Sequence, residues 1–169
     1  MRWLALILVC FGIFWQPALG ADTTSKPQSI LSALSMTDLG ETLDLLGLAY
    51  EPQKIDGQKV VANTRLVVAD GVTWFVYGYN CQDGEDICSE FQMRAVLQTQ
   101  KNQNGTRFDL EQWNRDNRFV RAYASSTGQA LVLEMDVYLA GGVMLSNVTD
   151  QILLWRQSLR KFSLELQQK

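Results

Sequence analysis

Histidine is absent from the 169-residue chain. That absence removes the usual general base of serine and cysteine hydrolases and the commonest transition-metal ligand. Basic residues are also few: 15 Lys and Arg stand against 18 Asp and Glu, for a net charge of −3. A nucleic-acid binder needs a basic footprint, so no nucleic-acid partner is expected. Repeats and low-complexity tracts are missing. Beyond the first twenty residues, no apolar run is long enough to span a bilayer. Cysteine is limited to Cys10, Cys81 and Cys88.

The first twenty residues, MRWLALILVCFGIFWQPALG, are unlike the rest. Arg2 supplies a charged start, Trp3 to Trp15 an apolar run, and Ala18-Leu19-Gly20 small residues at positions −3 and −1 of a cut. This is the pattern of a secretory signal, and cleavage is expected between Gly20 and Ala21. A retained anchor is the alternative. Cys10 follows Val9 and lies too early for a lipoprotein signal. Cleavage takes Arg2 and no acidic residue, leaving 149 residues with 14 basic against 18 acidic. That length buries one core without staples. A periplasmic or secreted location is expected, with no stable membrane insertion once the signal is gone. The expected organisation is a signal at 1–20, a flexible lead-in at 21–33, and a single domain at 34–168.

Two cysteines remain after the cut. Two thiolates alone do not build a structural zinc site, and in an exported chain an even pair reads as a disulfide. The flanking runs VTWFVYGYN (72–80) and SEFQMRAVLQ (89–98) test that reading. If Cys81 faces Cys88 in an antiparallel hairpin, Trp74 meets Ala95, Val76 meets Met93 and Gly78 meets Phe91. The other face then sets Phe75 against Arg94, Tyr77 against Gln92 and Tyr79 against Glu90. A slip of one residue would mix the two faces. Disulfide and hydrophobic pattern therefore agree. A redox-active dithiol is disfavoured, because the C-x-x-C spacing is not present. The loop Gln82-Asp83-Gly84-Glu85-Asp86 lacks the ligand spacing of an EF-hand, so no metal is expected.

Elsewhere, Ser35 and Asp38 have capping-box-like spacing, Leu39, Leu43 and Leu46 mark a helix, and Gly47 supplies its stop. Extended runs at 49–55 and 59–66 flank an Asp56-Gly57 turn signal. KNQNGT (101–106) is a loop holding one N-glycosylation sequon at Asn104; Asn147 starts another. In DLEQWNRDNRFVRAY (109–123), Asp109 suits an N-cap with Gln112 at N3, and Phe108 with Trp113 suits a hydrophobic staple. The helix is expected to end near Asn117 by a left-handed exit, with a strand from about Phe119. That strand faces QALVLEMDVYLA across Thr127-Gly128. Ala122 then meets Leu133 on an apolar face. Arg121 meets Glu134, Phe119 meets Asp136 and Tyr123 meets Val132 on the other. A last helix, from about Asn147 to Leu166, carries Val148, Ile152, Trp155, Leu159 and Phe162 as a core stripe. Leu153, Leu154 and Leu164 widen it toward a second helix or subunit.

WNRDNRFVRAY (113–123), LVLEMDVYLAGGV (131–143) and LLWRQSLRKF (153–162) resemble the YbjN family of bacterial sensory transduction regulators. Trp113, Asn114, Arg118, Phe119, Arg121, Ala122, Tyr123, Glu134, Met135, Asp136, Gly141 and Gly142 carry the match. The resemblance spans roughly Ser35 to Phe162. It implies an α+β domain, an antiparallel β-sheet packed by N- and C-terminal helices in the order α-β-β-β-β-α-β-β-α, similar to type III secretion chaperones. It brings no catalytic residue.

The expected function is a non-enzymatic exported binding or chaperone-like regulatory module, acting on a protein or peptide and needing no cofactor. Phe75, Tyr77, Tyr79, Arg94, Phe119, Arg121, Tyr123 and Tyr138 fall on non-core faces and form the candidate binding surface, in residue types enriched at hot spots. The alternative for this face is a cover by the short helix or by a second copy in a homodimer. A small-molecule-binding sensory domain is a second reading of the chain. A hydrolase using Glu134 and Asp136 is a remote third, because paired carboxylates serve glycosidases.

Overall fold

The computed structural model of the protein describes residues 30–55, 59–82, 86–98 and 108–168. The expected signal sequence, the Asp56-Gly57 turn and the Asn104 sequon lie outside them.

Helix α1 (Met36–Leu45) begins as its sequence dictates. The Ser35 hydroxyl accepts from the Asp38 backbone N–H at 3.0 Å and donates to the Asp38 carboxylate at 2.8 Å. Its end is a Schellman turn: Gly47 has φ +68°, its N–H bonds the Asp44 carbonyl, and the Leu48 N–H bonds the Leu43 carbonyl. Ahead of α1, β1 (Ile30–Leu31) and β2 (Leu34–Ser35) are two-residue strands. Ile30 and Leu31 fall in the segment expected as lead-in; they pair with β9 (Val143–Met144).

Four long strands follow: β3 (Ala49–Ile55), β4 (Lys59–Ala69), β5 (Val72–Cys81) and β6 (Ile87–Gln98). Asp70 and Gly71, both at positive φ, connect β4 to β5 in two residues. Two consecutive left-handed residues match the twist of a tight hairpin, and Asp-Gly adopts them readily. Beyond β6 come α2 (Leu110–Asp116), β7 (Arg121–Ala124), β8 (Ala130–Tyr138) and α3 (Leu145–Gln168). The antiparallel sheet runs β3-β4-β5-β6-β8-β7, with β2 paired to the end of β6. The fold is α+β, with the main elements in the expected order.

The cysteine hairpin has the register expected from the sequence. Cys81 pairs with Cys88, Gly78 with Phe91, Val76 with Met93 and Trp74 with Ala95. The two sulfurs are bonded. Gly78 is required there: a Cβ would sit 2.5 Å from Cys88 Sγ.

All three helices bury their apolar sides on one face of the sheet. Met36, Leu39 and Leu43 of α1, Trp113 of α2, and Val148, Ile152, Trp155, Leu159 and Phe162 of α3 share one core with Val67, Trp74, Met93, Leu133 and Met135. Trp74 meets Trp155 edge-on at 5.8 Å, and Trp113 lies 4.8 Å from Phe162. Phe108 touches both Trp113 and Phe162. Leu153 and Leu164 of α3 remain exposed.

Candidate functional site: the open face of the sheet

Stacking the helices on one side leaves the other side of the sheet open among the described residues. The alternative of a cover by the short helix does not occur, because Trp113 anchors α2 to α3 on the core side. Period-2 alternation then sets what the open face displays. Across it, Leu66, Phe75, Arg94, Glu134 and Arg121 form one row of register neighbours. On one side lies the row Val96, Val132, Tyr123. On the other lie Thr64, Tyr77, Gln92, Asp136 and then Tyr79, Glu90, Tyr138.

Glu134 is the hub of this face. It is only 3 % exposed although none of the described helices lies over it. Arg121 donates from Nε to Glu134 Oε1 and pairs with the same oxygen through Nη2. Tyr123 Oη donates to Oε2 at 2.8 Å. Arg94 Nε stands 3.9 Å from Oε2, beyond hydrogen-bond range, and is buried without a hydrogen-bond partner among the described residues. Asp136 accepts from Gln92 Nε2 at 2.8 Å and lies 3.9 Å from Arg121 Nη2. Beside this network the rings of Phe75 and Tyr77 stack at 5.7 Å.

The electrostatics follow from that packing. Burial pushes the Tyr77 phenol above its ordinary 10.0; the Arg94 charge opposes this and neighbouring Tyr79 adds to it. Tyr123 is also raised, first by burial and then by its hydrogen bond to Glu134. The Arg121 guanidinium is held charged above its usual range, chiefly by its hydrogen bond to Glu134.

Seven of the eight residues singled out in the sequence share the open face. The eighth, Phe119, does not join it as expected. Strand β7 starts at Arg121, so the Phe119–Asp136 pairing is not formed. Phe119 has φ +72°, is 60 % exposed, and carries the Arg118 guanidinium 5.0 Å from its ring centre. The left-handed residue of this junction is thus Phe119 and not Asn117, which is extended at φ −121°. Asn117 ends the helix by other means: both its backbone N–H and its side-chain amide bond the Trp113 carbonyl.

Two roles escaped the sequence reading. Glu134 appeared there as an ordinary partner of Arg121, not as a buried carboxylate under three side chains. Asn114 was read only as part of a motif. Its amide donates to the Ala122 carbonyl at 2.9 Å and accepts from the Ala122 N–H at 2.8 Å. It thereby caps the free edge of β7, in the manner of a further strand.

A family model with the description "Putative bacterial sensory transduction regulator", YbjN, matches residues 39–168. The chain belongs to the YbjN family. No curated protein and no solved structure gives a significant match. The YbjN match runs from inside α1 to the last turn of α3, so it takes in the whole path from β3 to β8. The motif that carried the resemblance divides by role in the structure. Trp113 and Ala122 enter the core, Asn114 seals an edge, and Arg121, Tyr123 and Glu134 build the open face.

A catalytic use of Glu134 and Asp136 finds little support in this geometry. Both Glu134 oxygens accept from protein donors, and the side chain is buried. Among the described residues no cluster of His, Cys, Asp and Glu could hold a metal ion, and no helix is long and apolar enough to cross a membrane.

Proposed function

We propose that this YbjN-family chain is a non-enzymatic, exported regulatory module that holds a protein or peptide partner on the open face of its sheet. One observation carries this reading: a face that none of the described helices covers presents Tyr77, Tyr79, Tyr123, Tyr138, Arg94 and Arg121 around a buried carboxylate. Tyr and Arg dominate binding hot spots. Glu134 holds Arg121 and Tyr123 in place, and side chains fixed beforehand lose less entropy on binding. The Cys81–Cys88 disulfide supports an oxidising compartment, and the family description supports a regulatory role.

The test is site-specific photo-crosslinking in the native cell. A photoreactive residue replacing Tyr79 should trap a partner, and one replacing the exposed Gln157 of α3 should not. Arg121→Ala with Tyr77→Ala should abolish trapping while the protein stays folded by circular dichroism. Equal trapping from both positions, or trapping unchanged by the two substitutions, would sink the reading.

The second reading, a small-molecule-binding sensory domain, has a different observation in its favour: a groove beside the C-terminal half of α3.

A further inference from the structure

That groove has a volume of about 240 Å³ and lies between the β4–β5 turn and α3. It is on the helical side of the sheet, away from the open face. Arg156, Arg160, Ser163 and Gln167 line it from α3. Their 4-3-4 spacing puts them on one stripe of the helix. Ala69, Val72 and Leu164 supply accessible apolar wall.

The donors on this stripe are largely unused. Arg156 is fixed by Asp70, which accepts from Nη2 at 3.0 Å. Its Nε is buried and has no partner among the described residues. A buried donor left in that state is unusual and unfavourable. Arg160 makes no ion pair among the described residues, and neither Ser163 nor Gln167 makes a side-chain hydrogen bond there. One carboxylate thus faces two guanidiniums, which leaves an excess of positive charge.

We propose that this groove binds a small oxyanion, a carboxylate or phosphate carried on a short apolar body. Arg156 and Arg160 take the charge, and Ala69, Val72 and Leu164 take the body. Guanidinium forks suit planar carboxylates and phosphates, with which they form paired charge-assisted hydrogen bonds. Asp70 orients Arg156 without neutralising Arg160. The volume falls below that of pockets for drug-sized ligands, so the ligand is small. This goes beyond the open-face reading and names a ligand class for the sensory alternative; it does not depend on the sheet face.

The experiment follows the side-chain Nε–H resonance of Arg156 by NMR in the oxidised protein at constant ionic strength. Inorganic phosphate, benzoate and the neutral isostere benzamide are titrated separately. Benzoate or phosphate should shift that resonance with millimolar or tighter affinity, and benzamide should not. A response to phosphate assigns phosphate-bearing ligands, and a stronger one to benzoate assigns apolar carboxylates. Arg160→Gln should weaken the effective anion by about tenfold, the loss of one charged contact. Glu41→Ala, at an exposed position of α1 outside the groove, should leave the affinity unchanged. Arg160 is exposed, so its replacement leaves the core intact. No shift with either anion, an equal response to benzamide, or an Arg160→Gln variant that binds as well as the parent overturns the proposal.

Discussion

Replacing Arg121 with Met asks how much the open face depends on its buried carboxylate. The Met side chain keeps most of the apolar stem and removes the guanidinium. Glu134, with 4 % of its side chain exposed, then retains only Tyr123 at 2.8 Å and Arg94 at 3.9 Å. Breaking a fully buried ion pair from one side costs about 3–5 kcal/mol. The Arg121 side chain is 64 % exposed, so water enters where it leaves and screens the loss. Arg94 and Tyr123 offset part of the remainder. The expected destabilisation is about 2 kcal/mol, near the range for a lost hydrogen bond to a charged group.

Urea unfolding of the oxidised protein reads this directly. With m about 2 kcal/mol/M, the midpoint should fall by about 1 M with m unchanged. Adding Glu134→Leu to Arg121→Met should recover most of that loss, since replacing both partners of a buried pair by apolar groups is close to neutral. The coupling between the two positions should be about 1.5 kcal/mol. A midpoint shift below about 0.2 M, with additive single and double variants, would refute the reasoning. Arg121 would then be a solvated neighbour of Glu134, and the face would owe its order to something else.

Four further outcomes are expected. Tyr77 and Tyr123 titrate above 10.0 in the folded chain; groups raised on folding stabilise in full below the unfolded pKa and lose this as pH rises through the folded one. Stability should therefore fall from about pH 10 upward, and Tyr77→Phe with Tyr123→Phe should flatten that fall in urea midpoints; an unchanged slope would contradict the burial argument. Reducing Cys81–Cys88 should lower stability by about 2.5 kcal/mol, the chain-entropy value for so short a loop, as measured by unfolding with and without dithiothreitol. Gly78→Ala places a Cβ 2.5 Å from Cys88 Sγ and 3.3 Å from Met36 Sδ; a loss of about 1–3 kcal/mol is expected from overpacking, with slower disulfide formation in a refolding assay. Asn114→Ala uncovers the Ala122 edge; about 1–2 kcal/mol should be lost, and light scattering should show concentration-dependent association through the freed strand.

The two hairpin registers were readable because each had a local anchor. A cysteine pair tied β5 to β6, and a Gly128 turn tied β7 to β8; a side-chain period of two then sorted both faces. The joining of the hairpins had no such anchor. Pairing of β6 with β8 brings Arg94 opposite Glu134, yet 35 residues separate the end of one strand from the middle of the other and no turn sets their offset. Alternation restricts the offset only to registers that keep core with core, so the three-way meeting on Glu134 stayed hidden. Asp70-Gly71 is a case of the opposite kind. The signal stood in the sequence, and it carries β4 on to Ala69 where an end near Leu66 was expected. Phe119 failed for a tertiary reason: Asn114 grips Ala122 from α2, and the few residues between must double back through a left-handed conformation.

The open face is not a polar surface left over after the core is made. Val132 and Glu134 are as buried there as residues under the helices, so Arg121, Tyr123 and their neighbours make a thin second layer of their own. A partner settling on that layer would find Glu134 already desolvated and paired, but it would strip water from Arg121 and Asp136, whose side chains are 64 % and 63 % exposed. Lowering the local dielectric would even strengthen the Arg121–Glu134 attraction. Arg94 is placed differently: its side chain is 38 % exposed, it makes no hydrogen bond among the described residues, and its nearest carboxylate oxygen is 3.9 Å away. On this face it is the donor with most to gain from an outside acceptor. Arg94, flanked by Phe75 in its own row and by Tyr77 in the next, is therefore where specificity for a partner carbonyl or carboxylate would concentrate, with the surrounding tyrosines supplying contact area.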